Sequence, residues 1–192
     1  MLRAADRIAL TAMNWASELS AQLDWHWINQ LRPRLAGLTD DEYFWEPVPG
    51  CWTVRAVGDG KFLADYQSPP PDPPPVTTIA WRLSHIAGPI LANRNAHHFG
   101  GPSFDITTFA WPGSARAALD LIDDGYARWS ASVRALDEAA LARDVGHIEP
   151  WPAPMAALVL HINREIIHHG AEVALLRDLY RASEGGRLKV AL

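Results

Sequence analysis

The chain has 192 residues, of which 48% are hydrophobic, and a formal net charge of −5. That size and apolar content suit one domain, residues 1–192, with a sizeable core, and exclude a disordered chain. The acidic balance and the lack of a basic patch speak against a nucleic-acid partner, and no run approaches the roughly 18 apolar residues needed to span a bilayer.

A lone cysteine, Cys51, excludes an intrachain disulfide and fits a reducing compartment. The first residues lack the long apolar core of a secretory signal, so a cytoplasmic location is expected. Nine tryptophans spread along the chain predict aromatic walls in the core and in any pocket.

The first long helix is predicted from about Met13 to Leu35, with Trp15, Leu19, Leu23, Trp27 and Leu31 at helical spacing. Thr39 and Glu42 then form a capping-box pattern that opens a short helical turn. Pro47, Pro49, Gly50, Gly58 and Gly60 make the following stretch a loop, and no segment reads as a strand. The run Ser68–Pro75 is expected to be extended rather than a domain linker, because the residues before it hold only one long helix.

Thr77 and Thr78 are candidate caps for a second helix, about Thr78 to His98, which Gly100-Gly101-Pro102 terminates. Its inward arc is read as Trp81, His85, Ala92, Ala96 and Phe99, with a bend expected just after His85. There Pro89 removes a backbone donor and crowds the His85 carbonyl. His97 and His98 are expected at the surface, favoured by the C-terminal dipole. A third helix is predicted over about Ser114–Leu136, and a fourth over about Pro154–Ala182 after a loop from Gly146. Four long helices with one apolar face each predict an all-α four-helix bundle with long irregular connections.

The fourth helix carries the chemistry. In His161-Ile-Asn-Arg-Glu165-Ile-Ile-His168-His169-Gly-Ala-Glu172, ionisable groups interrupt an arc that also holds Leu158, Ile162, Leu176 and Leu179. Glu165 neighbours His168 at a spacing of three and His169 at a spacing of four. Such groups are costly on a buried face unless something satisfies them, and a metal ion is the simplest partner. His85 on the second helix is the best third ligand.

These residues carry a family resemblance. The chain resembles the DinB-like superfamily of metal-binding four-helix bundles, over most of its length. His85 matches the family's histidine near the start of the second helix. Glu165 and His169, followed by Gly170 and Glu172, match its ligand pair four apart on the last helix. Most members carry histidine at both positions of that pair. Glu165 at the first looks like the branch of mycothiol-dependent maleylpyruvate isomerase, whose metal set is His, Glu, His. The segment Leu38–Arg55 also looks like a stretch found among related members.

The resemblance implies a divalent metal on His85, Glu165 and His169, with zinc first and nickel or iron as alternatives. It also implies a thiol-dependent transferase or isomerase, in which a low-molecular-weight thiol such as mycothiol binds the metal as thiolate and attacks an electrophile. The alternatives are a non-catalytic, stress-linked metal-binding bundle and a metal-dependent hydrolase. The expected partners are a small thiol and an electrophilic substrate, and such bundles also suit homodimers. No catalytic residue beyond the ligands is assigned.

His161, His168, Glu172 and His26 are candidates to hydrogen-bond the ligands from behind. Trp81 and Trp52 are candidate pocket walls. Cys51 is read as a buried or loop thiol, and Arg177-Asp178 as a surface ion pair.

Overall fold

The computed structural model describes residues 13–183. Helix α1 opens at Trp15, capped by Asn14, whose side chain accepts from the Ser17 amide. It runs through Trp15–His26, a π-helical stretch Trp27–Leu31 and a final turn Arg32–Arg34. Thr39 and Glu42 form the full predicted capping box on the short α2, Asp40–Tyr43. Helix α3 comprises Ile79–His85, a π-helical stretch Ile86–Ala92 containing Pro89, and Asn93–Phe99, with Gly100 left-handed at its end. Helix α4 spans Ala115–Arg134, the short α5 spans Glu138–Ala142, and α6 spans Met155–Ala182. α1 and α3 each pack against both α4 and α6, which gives the expected four-helix arrangement.

The core is continuous across the four helices. Leu23 and Leu31 of α1, Leu83 and Leu91 of α3, Ile122 and Trp129 of α4, and Leu158 and Ile162 of α6 are all buried in it. Trp27 stacks on Tyr126 with ring centroids 4.1 Å apart. Beside that stack, Asp24 accepts hydrogen bonds from Tyr126, Ser130 and Arg134, fastening α1 to α4. Gly125 lets α3 approach closely, because a Cβ there would sit 2.9 Å from the Leu91 Cβ.

Several expectations need correction. The loop after α2 contains an antiparallel hairpin, β1 Val54–Gly58 and β2 Lys61–Ala64. Apolar alternation was absent because most of the hairpin faces solvent; the usable signal was the turn Gly58-Asp59-Gly60, all three with positive φ. Trp15 is 54% exposed and leaves the core arc of α1. On α3 the deepest face is Leu83, Ile86, Ala87, Ile90 and Leu91, and the Trp81–His85 arc borders it half-buried. Leu179 likewise lies at the surface.

His98 is not a surface cap. Its side chain is fully enclosed and its Nε2 lies 2.8 Å from Glu149, which also takes Arg94 at 2.9 Å. Arg177 is not paired with Asp178. It is 1% exposed and holds the equally enclosed Glu42, while Asp178 pairs with Arg34 at 2.6 Å. In both cases a long or ionisable side chain is drawn inward by a buried carboxylate from a segment distant in sequence.

Among the described residues, no helix is long and apolar enough to cross a membrane.

Candidate metal centre

The site lies where the first turns of α3 face the middle of α6. Thr78 caps α3 by accepting from the Trp81 amide, and its hydroxyl meets Thr53 at the base of the hairpin. Trp81 donates its indole N–H to the Asp65 carbonyl at 2.8 Å, fixing the ring. His85, one turn later, stacks flat on Trp81 with centroids 5.2 Å apart, and Trp52 lies 5.9 Å beyond Trp81. Trp81 thus walls the His85 side of the cluster, with Trp52 packed against Trp81.

On α6, Gly170 allows the helix to press against α1, since a Cβ there would meet Leu31 at 3.0 Å. This seats the preceding turn so that His169 turns inward. The His169 ring stands edge-on to His85 at 4.8 Å. Glu165, one turn earlier, reaches the same space, with Oε2 3.3 Å from His169 Nε2. One ligand atom from each of His85, Glu165 and His169 lies within 4.8 Å of the others. His168 is 61% exposed at its side chain and stays outside this group, so the spacing of four, not three, brings the pair together.

Burial sets the protonation states. It pushes His85 down to about 3, helped by His169 and the Arg82 and Arg94 guanidiniums. The same desolvation lowers His169, against an opposing pull from Glu172. Both imidazoles are therefore neutral near pH 7. His169 Nδ1 lies 2.7 Å from Glu172 Oε2 and 3.2 Å from Arg82 Nη1; the first contact favours a proton on Nδ1, the second a proton on Nε2. With the proton on Nδ1, the lone pair of Nε2 points at the Glu165 carboxylate.

Of the residues expected behind the ligands, Glu172 lies within hydrogen-bond distance of His169 Nδ1, 2.7 Å away. His161 lies 3.6 Å from Glu165, within ion-pair range but beyond a hydrogen bond, and its ring meets Trp151 edge-on. His168 lies 3.5 Å from Glu172 on the solvent side. His26 does not reach the cluster. Its ring packs near Gly170 beside Leu31, and its buried Nε2 has no hydrogen-bond partner among the described residues.

Arg82 escaped the sequence reading. Its Nε lies 3.0 Å from Glu172, and its guanidinium sits over the Trp81 ring at 5.3 Å. The signal was its place three residues before His85, on the same side of α3. Cys51 is buried, donates to the Val48 carbonyl, and has its thiol pushed up by burial, which suits an inert thiol.

The model of one protein family, the DinB superfamily, matches residues 22–173. The chain belongs to the DinB superfamily. The match takes in α1 through most of α6, and so every element that lines the cluster. No curated protein and no solved structure matches the chain. For this DinB protein the fold and the family are thus shown together, and the chemistry must be read from the site.

Proposed function

We propose that this DinB protein binds one divalent metal ion through His85, Glu165 and His169, and uses it to activate a small thiol for transfer or isomerisation. One observation carries the reading. One ligand atom from each of His85, Glu165 and His169 lies within 4.8 Å of the others, and with the proton on Nδ1 His169 presents an Nε2 lone pair to a Glu165 oxygen 3.3 Å away. Two acceptors face each other with no proton between them. A proton on Nε2 would relieve this and leave Nδ1 to accept from Arg82 Nη1 at 3.2 Å, while burial opposes a second proton. In the first arrangement a cation between Nε2 and Oε2 satisfies both acceptors.

The donor set fits that cation. Two ligand atoms about 2.1 Å from a tetrahedral zinc lie about 3.4 Å apart, close to the Nε2–Oε2 distance here. His85 makes ring contacts only, to Trp81 and His169, and no hydrogen bond among the described residues. It is neutral and free to ligate. Three protein ligands leave open coordination positions, the arrangement of catalytic rather than structural sites. When bound, the ion supplies a Lewis acid that lowers the pKa of a thiol or water near neutral pH.

The chain's own residues do the rest. Glu172 and Arg82, paired with each other, both meet His169 Nδ1 and hold the plane of its ring. Trp81 holds the plane of His85 and is itself backed by Trp52. The Glu165 carboxylate in place of the family's commoner histidine supports the branch of mycothiol-dependent maleylpyruvate isomerase. The test is a thermal-shift and tryptophan-fluorescence panel of mycothiol, glutathione and cysteine on metal-loaded and metal-free protein. A response to one thiol, confined to the loaded form, is expected. Absence of response to all three overturns the thiol reading, and turnover of ester, amide or phosphoester substrates in its place would indicate a hydrolase.

A further inference from the structure

The connection between α5 and α6 turns an unexpected side chain inward. Its two legs are joined at the base, where the Val145 amide donates to the Ala153 carbonyl at 2.9 Å and the Met155 amide to the Arg143 carbonyl at 2.8 Å. Val145 and Met155 are fully buried, so this base is rooted in the core. Between them Ile148 is 39% exposed, whereas Glu149 is only 6% exposed. His147, Pro150 and Pro152 also face solvent. A loop fastened by packing alone would bury the isoleucine and leave the carboxylate in water.

Glu149 reaches across to α3. Its Oε2 accepts from Arg94 at 2.9 Å and its Oε1 from His98 Nε2 at 2.8 Å. The enclosed His98 Nδ1 and the Arg94 Nε have no hydrogen-bond partner among the described residues. Three groups have thus given up water for two contacts, and they recover it whenever the loop lifts. Such a contact closes a loop yet lets it reopen, which a buried isoleucine would resist.

Two residues beyond Glu149 stands Trp151, half-buried, with its ring edge-on to His161 at 5.2 Å. His161 in turn lies 3.6 Å from the Glu165 carboxylate. Arg94 and Glu149 are both near enough to act on His161 through their charges, and Arg94 on His85 as well. The loop and its anchor therefore lie along one flank of the metal cluster. The tip is stiff, because a Cβ on Gly146 would sit 2.7 Å from the Pro152 Cα and the prolines at 150 and 152 fix their own φ.

We propose that residues 146–152 form a flap over the His161 flank of the metal cluster, latched shut by Glu149 on Arg94 and His98. Trp151 is the panel that closes the flank, and Glu149 is a positioning residue that acts through it. What passes the flap rests on the metal reading; the latch does not.

Two readouts on the full chain separate latch from gate. Hydrogen exchange of the metal-free protein follows the Ile148 and Glu149 amides, which both donate to the Val145 carbonyl. In Glu149→Gln these should exchange roughly tenfold or more faster, with the core amides of α4 unaltered. In Trp151→Ala the latch is intact, and they should stay as protected as in wild type. Stopped-flow binding of zinc, and its release to a chelating dye, reads the gate. Both variants should bind and release zinc faster by a common factor of roughly ten, with Kd within about threefold of wild type, because a flap alters the path and not the bound state. A damaged ligand would instead speed release alone. Unchanged exchange at Ile148 and Glu149 in Glu149→Gln overturns the latch, whether or not the protein binds metal. Unchanged zinc rates in both variants, or faster release with unaltered binding, overturn the gate. A wild type that takes up no zinc defeats the metal reading and the gate with it, while the exchange data still decide the latch.

Discussion

Replacing Arg177 by methionine should cost the fold about 3–5 kcal/mol at pH 7. Arg177 is 1% exposed and donates to Glu42 at 2.8 and 3.1 Å, to the Ala36 carbonyl at 3.1 Å, and to the Arg34 carbonyl. Methionine fills most of the volume but leaves the Glu42 carboxylate, 5% exposed, with only the Thr39 amide and the more distant Arg181. The carboxylate will take a proton rather than stay charged and unpaired. From an ordinary glutamate value near 4.3, protonation at pH 7 costs about 3.5 kcal/mol. That term sets the scale, and the orphaned carbonyls add to it.

The pH dependence follows. Burial alone would raise the Glu42 carboxyl, but the Arg177 hydrogen bonds and charge hold it below its usual value. In wild type this contribution is present above the unfolded value and lost as pH falls through the folded one. In Arg177→Met the buried carboxyl instead takes up a proton on folding, a cost that falls as pH drops from 7 toward 4, so the gap between the two proteins should narrow over that range. Urea denaturation at several pH values measures the gap. A cost below about 1 kcal/mol, or one that stays constant over that range, would refute the reasoning.

Other expectations concern the site and the packing. Glu172→Gln should weaken metal binding about 10–100-fold while leaving the melting temperature of the metal-free protein nearly unchanged, as read by competition with a chelating dye. His168→Ala should leave metal affinity unaltered, because that side chain points to solvent, and a loss of similar size would reassign the ligand. Gly125→Ala should destabilise by about 1–3 kcal/mol in thermal or urea melts, since the added methyl meets the Leu91 Cβ at 2.9 Å; a neutral result would show that α3 and α4 can move apart freely.

Much of this molecule could be read before its structure was seen, and the reasons differ by element. The four long helices carried strong periodicity and clear ends, with Thr78 and Ser114 as caps and Gly100 as a stop. The cluster was legible because helical spacing alone aligns Glu165 with His169, and because ionisable groups stood out on a mostly apolar helix. Its third member, His85, came from the inward arc of α3 and the position of Pro89 and was strengthened by family resemblance, since no local pattern links α3 to α6. What stayed hidden was decided by long-range pairing. His98 and Arg177 looked like surface residues until Glu149 and Glu42, distant in sequence, were brought against them. The hairpin stayed hidden for a different reason: it is too exposed to show alternation, and only its Gly-Asp-Gly turn marked it.

The central claim is that His85, Glu165 and His169 together hold one divalent ion. Elemental analysis of natively purified protein, repeated after titration with zinc, nickel and iron(II), tests it most directly. The account predicts one ion per chain in wild type and loss of that ion in each of His85→Ala, Glu165→Ala and His169→Ala, with the helical fold retained. Unchanged metal content in Glu165→Ala and His169→Ala, or a wild-type chain that binds none of the three metals, would contradict it.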